Sequence, residues 1–219
     1  MRKTPITFGA ALAATVALAL LPAAASARIT EIGATTVAPV ASCPAAPCLA
    51  VSRTTGYQAR SGSLVSPMVV PRDGKIVAWT ISLGKPTTKQ IAFFDSTEGG
   101  AASAGITIIR PGKKLFYRVQ DQSPLVLLQP YFGLTAQFPL DRTIPVKQGW
   151  VIALTVPTWS PSLAVGYRND TSWRASRSSK QCKDTTTQTA QTLAGQLAQY
   201  YCLYRTARLT YSATLISTP

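Results

Sequence analysis

The sequence predicts an all-β protein, an antiparallel β-sandwich of jelly-roll-like type with about eleven short strands. Two runs indicate this fold. Residues 149–157 read Gly-Trp-Val-Ile-Ala-Leu-Thr-Val-Pro, an uncharged and largely β-branched run that is typical of a strand buried on both faces. Residues 75–82 have the same character and follow the turn Pro71-Arg72-Asp73-Gly74. Short strands punctuated by turns favour a sandwich with these two runs in its middle.

The other strands follow in close succession. Strands are predicted at 49–58, 75–82, 89–94, 106–110, 113–120, 131–140, 149–157, 163–167, 171–175, 201–204 and 208–216. Pro67 places a further candidate, 64–70, at a sheet edge or bulge. Pro111-Gly112 is a turn, so the strands on either side of it are expected to form a hairpin. Residues 95–105 are small and polar and predict an exposed loop.

At most one short helix is expected, near 189–199. Helix-forming residues are frequent there, and Leu193, Leu197 and Tyr200 are spaced four and three residues apart, as on one face of a helix. Helical periodicity is nearly absent elsewhere. We find no internal repeat or domain boundary, so 49–219 is predicted to be a single β-sandwich domain.

Residues 1–27 are predicted to be a signal peptide. Arg2 and Lys3 precede an apolar run at 8–21, and Ala25-Ser26-Ala27 is a small-residue cleavage site. The run is short for a membrane span, so cleavage after Ala27 is preferred to an uncleaved anchor. No later segment is apolar enough to span a membrane. The mature protein is therefore expected to be secreted or extracytoplasmic.

A second export signal is weaker. Val40-Ala41-Ser42-Cys43 resembles a lipobox, but a lipobox directly follows the apolar run, and here Arg28 and Glu31 intervene. We therefore expect a protein that is released or held non-covalently. Residues 28–48 are rich in Thr, Ala and Pro and are expected to be a poorly ordered leader with a short disulfide loop.

The four cysteines predict two disulfide bonds, because exported proteins keep cysteines oxidised. Of the three pairings that are formally open, proximity favours Cys43–Cys48 and Cys182–Cys202. A zinc site is the alternative, but the spacings do not fit one and the chain has no histidine. No cofactor or metal is expected.

The charge of the chain is strongly positive. The sequence has 22 Lys and Arg against 8 Asp and Glu, a net charge of +14. The part after residue 27 has 20 Lys and Arg and all 8 acidic residues, a net charge of +12. Such an excess favours anionic partners such as cell-wall polymers, lipid head groups or nucleic acid. No motif for nucleic-acid recognition accompanies it. A charge that serves only solubility is the alternative interpretation.

Three segments resemble a family of secreted bacterial β-sandwich proteins. They are 71–79, with the pattern P-x-D-G-x-hydrophobic-x-x-W, then Ile108-Ile109-Arg110-Pro111, a strand ending in R-P, and 144–154, which contains V-x-x-G followed by an apolar strand. The resemblance covers the central half of the mature chain and implies a jelly-roll-like fold. It implies no activity and assigns no site residues, because no activity is established for that family.

The absence of histidine narrows the chemistry. It removes Ser-His-Asp and Cys-His catalysis and H-E-x-x-H zinc sites. A histidine-free glycoside hydrolase needs two carboxylates about 5–10 Å apart. Asp95 and Glu98 are the one close pair, and solvated charges in a loop of small residues are the simpler interpretation. The hypothesis of a histidine-free polysaccharide-degrading enzyme depends on them.

Ligand binding is the function class that these exclusions leave. Sugars bind to exposed aromatic rings beside planar polar groups, and anionic polymers add contacts to Arg and Lys. The predicted ligand-binding residues are Tyr131, Trp159, Trp173, Arg174 and Arg177. The alternative is that both tryptophans fill the core, as Trp79 and Trp150 are expected to do.

The preferred hypothesis is therefore a secreted, non-catalytic β-sandwich protein that binds polysaccharide or an anionic cell-envelope polymer. A structural or protein-interaction module of the envelope, using a sheet edge, is the second hypothesis. The histidine-free enzyme is the third.

Overall fold

The computed structural model describes Met1, residues 27–183 and residues 187–217. All but the two ends of the predicted signal peptide, 1–27, lie outside the described residues. The strands are β1 Ile29–Ile32, β2 Val51–Ser61, β3 Leu64–Val65, β4 Gly74–Ser82, β5 Ser103–Pro111, β6 Phe116–Gln122, β7 Val126–Leu127, β8 Thr135–Val146, β9 Val151–Ser160, β10 Leu163–Val165, β11 Thr171–Ala175, β12 Leu197–Gln199, β13 Cys202–Arg205, β14 Ala207–Leu209 and β15 Tyr211–Ser217.

The all-β prediction is confirmed, with one α-helix in the described residues and fifteen strands instead of about eleven. The predicted strand 208–216 is two strands, β14 and β15, and β3 lies within the further candidate 64–70. The strands without a predicted counterpart are β1, β7 and β12, which have two to four residues each. Segments this short do not display a clear period-two pattern, so the sequence does not reveal them.

Two antiparallel sheets make up most of the fold. The smaller sheet has the order β1-β15-β4-β8, and the larger sheet has the order β12-β6-β5-β9-β2-β11-β13, with β3 beside β2 and β7 beside β5. β10 and β14 form a separate pair. The two runs that predict the fold, β4 and β9, are both interior strands, as expected.

One hydrophobic core joins the two sheets. Trp79 and Leu215 enter it from the smaller sheet, and Ile108 and Leu154 enter it from the larger sheet. Burying side chains of this size is worth about 1.5–3 kcal/mol each. The hydroxyl group of Tyr211 in β15 also donates a 2.8 Å hydrogen bond to a carbonyl of β9, which ties the sheets together.

Strand β9 is buried on both faces because the chain crosses its outer side. Thr155 of β9 hydrogen-bonds Thr55 and Thr107 on the neighbouring strands. The backbone N–H of Gln191 then donates to the Thr55 hydroxyl at 2.9 Å. The segment around Gln191 therefore covers a polar row in the larger sheet.

The one helix lies elsewhere than expected. Helix α1, Thr88–Thr97, occupies the predicted strand 89–94, whereas 189–199 is a loop that ends in β12. Thr87 and Gln90 form a capping box that starts α1. No helix in the described part of the chain is long and apolar enough to cross a membrane.

The 189–199 segment does not form a helix because the sheet engages its backbone. Gln191 donates to β2, and the N–H of Tyr200 donates to the carbonyl of Leu115 at 2.8 Å. Of the three residues with helical spacing only Tyr200 is buried, since Leu193 and Leu197 are exposed. An exposed stripe gives a helix no packing energy.

The segment 28–48 also differs from the expected poorly ordered leader. Its first part is β1, which pairs with β15 along the edge of the smaller sheet. Further on, the N–H of Ser42 donates to the carbonyl of Leu163 at 2.8 Å. Both predicted disulfide bonds, Cys43–Cys48 and Cys182–Cys202, are confirmed.

Candidate functional site

Trp159 is a core residue, so the expectation of an exposed ring is wrong. The side chain is fully buried in β9, and its ring stacks on Phe94 of α1 with 4.8 Å between the ring centroids. Its Nε1–H donates to Oδ1 of Asp95 at 2.8 Å. Because β9 continues through Pro157, this stretch is a strand and not the expected rigid loop.

Trp173 is also buried, at 6% exposure. Its ring stacks on Tyr204 of β13 with 4.6 Å between the centroids. The other neighbour is the backbone of Gly56, where an added Cβ atom would approach the indole ring within 2.9 Å. The expected platform is thus part of the packing between β2, β11 and β13.

Arg174 and Arg177 accompany Trp173, but they bind the protein itself. Arg177 is 4% exposed and donates to the Tyr204 hydroxyl at 2.7 Å. Arg174 is half-buried and donates to the carbonyls of Tyr200 and Tyr201. Both guanidinium groups therefore hold β13 and the chain before it, and their role in ligand binding stays a prediction.

Tyr131 does not extend a surface around Trp173. It is partly buried, and its ring meets Phe138 edge to face with 5.0 Å between the centroids. Phe138 belongs to β8 of the smaller sheet, whereas Trp173 belongs to the larger sheet. The five predicted residues consequently do not form one site.

The acidic pair Asp95 and Glu98 lies on α1 or at its C-terminal end, not in a loop. Asp95 accepts hydrogen bonds from the indole of Trp159 and from Nε2 of Gln129. A carboxylate oxygen of Glu98 lies 3.7 Å from Nε of Arg53. Each carboxylate therefore has a partner that fastens the helix to the larger sheet.

Exposed positive charge is instead concentrated on the hairpin of β5 and β6. Residues 110–118, here called the basic hairpin, hold four exposed cations, namely Arg110, Lys113, Lys114 and Arg118. Arg110 and Arg118 are directly opposite each other in the ladder. Because opposite Cβ atoms are only about 5 Å apart, like charges there repel unless an anion lies near them.

The tip of the basic hairpin has a strained backbone. Lys114 and Leu115 have φ angles of 54° and 62°, which costs each residue about 1–2 kcal/mol. Hydrogen bonds from outside the turn hold it in place. Nε2 of Gln199 donates to the carbonyl of Lys114 at 3.1 Å, and the N–H of Tyr200 donates to that of Leu115. The two lysines are thus kept at the tip.

The segment closed by Cys182–Cys202 braces the hairpin. β12 lies in this segment and pairs with β6, so that Leu197 is opposite Arg118. Nη1 of Arg118 also donates to the carbonyl of Gly195 at 2.8 Å. Leu197 and Phe116 are 54% and 38% exposed and place apolar surface beside the cations.

No carboxylate in the described part of the chain neutralises the basic hairpin. Among the Lys and Arg residues of the described part, only Arg53 and Arg142 lie within 4.0 Å of a described carboxylate. Asp121 is the one acidic residue of β5 and β6, and Arg142 binds both of its oxygens at 2.8 Å. This hydrogen bonding lowers the pKa of Asp121. Its negative charge is therefore engaged away from the hairpin.

Tyr117 of β6 packs against two other tyrosines, Tyr57 and Tyr200. The hydroxyl groups of Tyr57 and Tyr117 are 2.7 Å apart, and both rings contact Tyr200. Burial raises the pKa of Tyr57, and the hydrogen bond with Tyr117 raises it further. The support of the hairpin is therefore a neutral aromatic cluster.

The sequence predicts the hairpin but not its importance. Arg110 and Arg118 are eight positions apart, and only the ladder register makes them neighbours. In the sequence, residues 174–183 are a more evident basic segment because a cation recurs at every third position. Both arginines of that segment, however, hydrogen-bond within the protein.

Comparisons of the chain with protein-family models, with curated proteins and with solved structures find no match. The resemblance to secreted bacterial β-sandwich proteins therefore stays a prediction. Within the described ranges, no group of three or more Cys, Asp or Glu could hold a metal ion. The fold and the site define a disulfide-bonded β-sandwich with an exposed cationic hairpin.

Proposed function

We propose that this protein is an extracytoplasmic, non-catalytic binding protein for an anionic polymer of the cell envelope, with the basic hairpin as its contact surface. One observation carries the proposal. Four exposed cations share one hairpin, two of them opposite each other, and no described carboxylate lies within 4.0 Å of any of them. A bound polyanion would supply the missing negative charge.

The arrangement suits a polymer better than a single small anion. The cations extend from the Arg110–Arg118 pair to the lysines at the tip, over roughly 10 Å of strand and turn. Repeated charges along one chain can contact several of them at once. The exposed ring of Phe116 adds an apolar contact for the non-polar face of a sugar.

Two further observations support the location. The chain has two disulfide bonds, which form and persist in oxidising compartments. The predicted signal peptide agrees with export.

The strained turn at Lys114 and Leu115 supports a binding role for the hairpin, because such strain concentrates at functional sites.

The test is retention of the disulfide-intact protein on purified cell wall and on insoluble polygalacturonate, at low and at high salt. We expect retention at low salt and a loss of about tenfold or more at high salt, because salt screens exposed charges. Retention that does not depend on salt, or no retention on any anionic polymer, would overturn the proposal.

A further inference from the structure

A polar cleft lies beside β12, lined by two residues before Cys182 and by residues of 187–198. It has a volume of about 350 Å³. Carboxamide and hydroxyl groups dominate its lining, with Ser176, Gln181, Gln188, Thr189, Gln191 and Gln196. None of these groups is charged. We call it the amide cleft.

Gln188 is the most informative residue of the amide cleft. The residue is 9% exposed and lines the cleft, and no hydrogen bond joins its side chain to another described residue. Its carboxamide is not among the solvent-shielded polar groups of the described residues, so its donor and its acceptor are both open to a ligand in the cleft. A ligand that both donates and accepts hydrogen bonds would pair this group.

Three other carboxamides are oriented by the protein. Oε1 of Gln181 accepts from the Ser178 hydroxyl, and Oε1 of Gln196 accepts from the N–H of Leu193. Oε1 of Gln191 accepts from the hydroxyl of Tyr200, while its Nε2 has no partner among the described residues. With their oxygens fixed in this way, these side chains offer NH₂ groups as oriented donors.

The amide cleft and the basic hairpin are separated by one strand. Leu197 and Ala198 of β12 line the cleft, and the same residues pair with Arg118 and Tyr117 of β6. Neighbouring strands are about 5 Å apart, so one extended chain can contact both sides of β12. A single bound chain could therefore contact the uncharged amides of the cleft and the cations of the basic hairpin.

We infer that the amide cleft binds the hydroxyl groups of an acidic polysaccharide whose carboxylates contact the basic hairpin. The inference rests on the proposed function and specifies its ligand. A hydroxyl group both donates and accepts, so it can pair with the open amide of Gln188, whereas a polyanion with neither hydroxyl nor amide groups would contact the hairpin and leave the cleft unused. The structure thus assigns the polymer to the class that carries both carboxylate and hydroxyl groups.

The test compares polyanions that differ in hydroxyl groups. Affinities are measured for polygalacturonate, alginate and hyaluronan, and for polyacrylate, which carries carboxylates but neither hydroxyl nor amide groups. We expect at least one polysaccharide to bind about tenfold more tightly than polyacrylate. The variant Gln188→Ala should lower that ratio by about threefold or more. Gln137→Ala, an exposed position on β8, is the matched control and should not change it.

The outcomes separate the two proposals. If polyacrylate and every polysaccharide bind equally, or if the ratio is unchanged in Gln188→Ala, the assignment of the amide cleft is overturned and the proposed function stands. If no polyanion binds, both are overturned. Should Gln188→Ala fail to fold, the exposed Gln181→Ala decides, because it also removes a cleft carboxamide and is expected to lower the ratio.

Discussion

Among single residues, the aromatic side chains that the sequence suggests for ligand binding stabilise the fold. Trp159 is buried, and its indole N–H donates a hydrogen bond to Asp95. This bond offsets the free energy that burying an unpaired N–H group would cost. Arg177 is likewise buried against Tyr204. A tryptophan between two prolines is compatible with a continuing strand and with a rigid loop. The sequence alone therefore does not distinguish a buried Trp159 from an exposed one.

The first prediction concerns the indole hydrogen bond. Trp159→Phe removes the bond to Asp95 and leaves a smaller ring, so we expect the free energy of unfolding to fall by about 2 kcal/mol in a denaturant titration. Retention of the folded variant on anionic polymer should be unchanged. A folded Trp159→Phe protein that no longer binds would show that this ring is a ligand contact after all.

A second prediction concerns alkaline pH. Burial is the main cause that raises the pKa of Tyr57, Tyr200 and Tyr211 above the ordinary value of 10.0. The unfolded chain releases these protons above about pH 10, while the folded protein retains them. The stability they contribute is therefore complete below pH 10 and is lost as the pH rises further.

The measurement is the free energy of unfolding against pH, together with phenolate absorbance. Each such tyrosine contributes a slope of about 1.4 kcal/mol per pH unit above pH 10. Tyr211→Phe should reduce the slope by that amount. Phenolate absorbance from these three residues should rise only with unfolding, and its appearance in the folded protein would contradict the assignment.

Among the elements, the pattern of apolar residues determines how much the sequence reveals. β9 was predictable because Val151 to Val156 form a continuous β-branched and apolar run that both faces of a buried strand accept. In the α1 segment, Ile91, Phe93 and Phe94 favour a strand, which is why the prediction at 89–94 is wrong. The Thr87-x-x-Gln90 capping box was the local signal for a helix.

The candidate site was less predictable than the fold. The sequence predicts a hairpin turn at Pro111-Gly112, and the turn follows directly, at 112–115, because Pro111 still belongs to β5. The meeting of Arg110 with Arg118 depends on the register and on a bulge in the ladder. The bracing of the turn by Gln199 depends on a contact between residues far apart in the chain. Such contacts are set by the packing of the whole sheet, which local patterns do not specify.

The third prediction concerns the two disulfide bonds as elements. Cys182–Cys202 spans 20 positions and Cys43–Cys48 spans 5. Replacing both cysteines of a pair by serine should lower the free energy of unfolding by about 3 and about 2 kcal/mol, respectively. Polymer affinity should fall only for the Cys182/Cys202 variant, because β12 and Gln199 brace the basic hairpin. Equal losses of affinity in the two variants would contradict this bracing role.

For the whole molecule, the distribution of charge matters more than its total. The net charge of +14 would attract polyanions to any part of the surface. A second pair of exposed cations, Lys75 of β4 and Lys147 just after β8, lies at one end of the smaller sheet beside the partly exposed Trp150. That pair offers an internal control, because removing it changes the net charge by the same amount as removing Arg110 and Arg118.

The most direct test of the central claim is therefore a calorimetric titration of two double variants with the same anionic polymer at low salt. We predict that Arg110→Gln/Arg118→Gln lowers the affinity about thirtyfold, since each cation contributes about 1 kcal/mol, and that Lys75→Gln/Lys147→Gln changes it by less than about threefold. Equal losses in the two variants would mean that only the total charge matters. A larger loss in the second variant would place the binding surface on the smaller sheet, and either result would contradict the assignment of the basic hairpin.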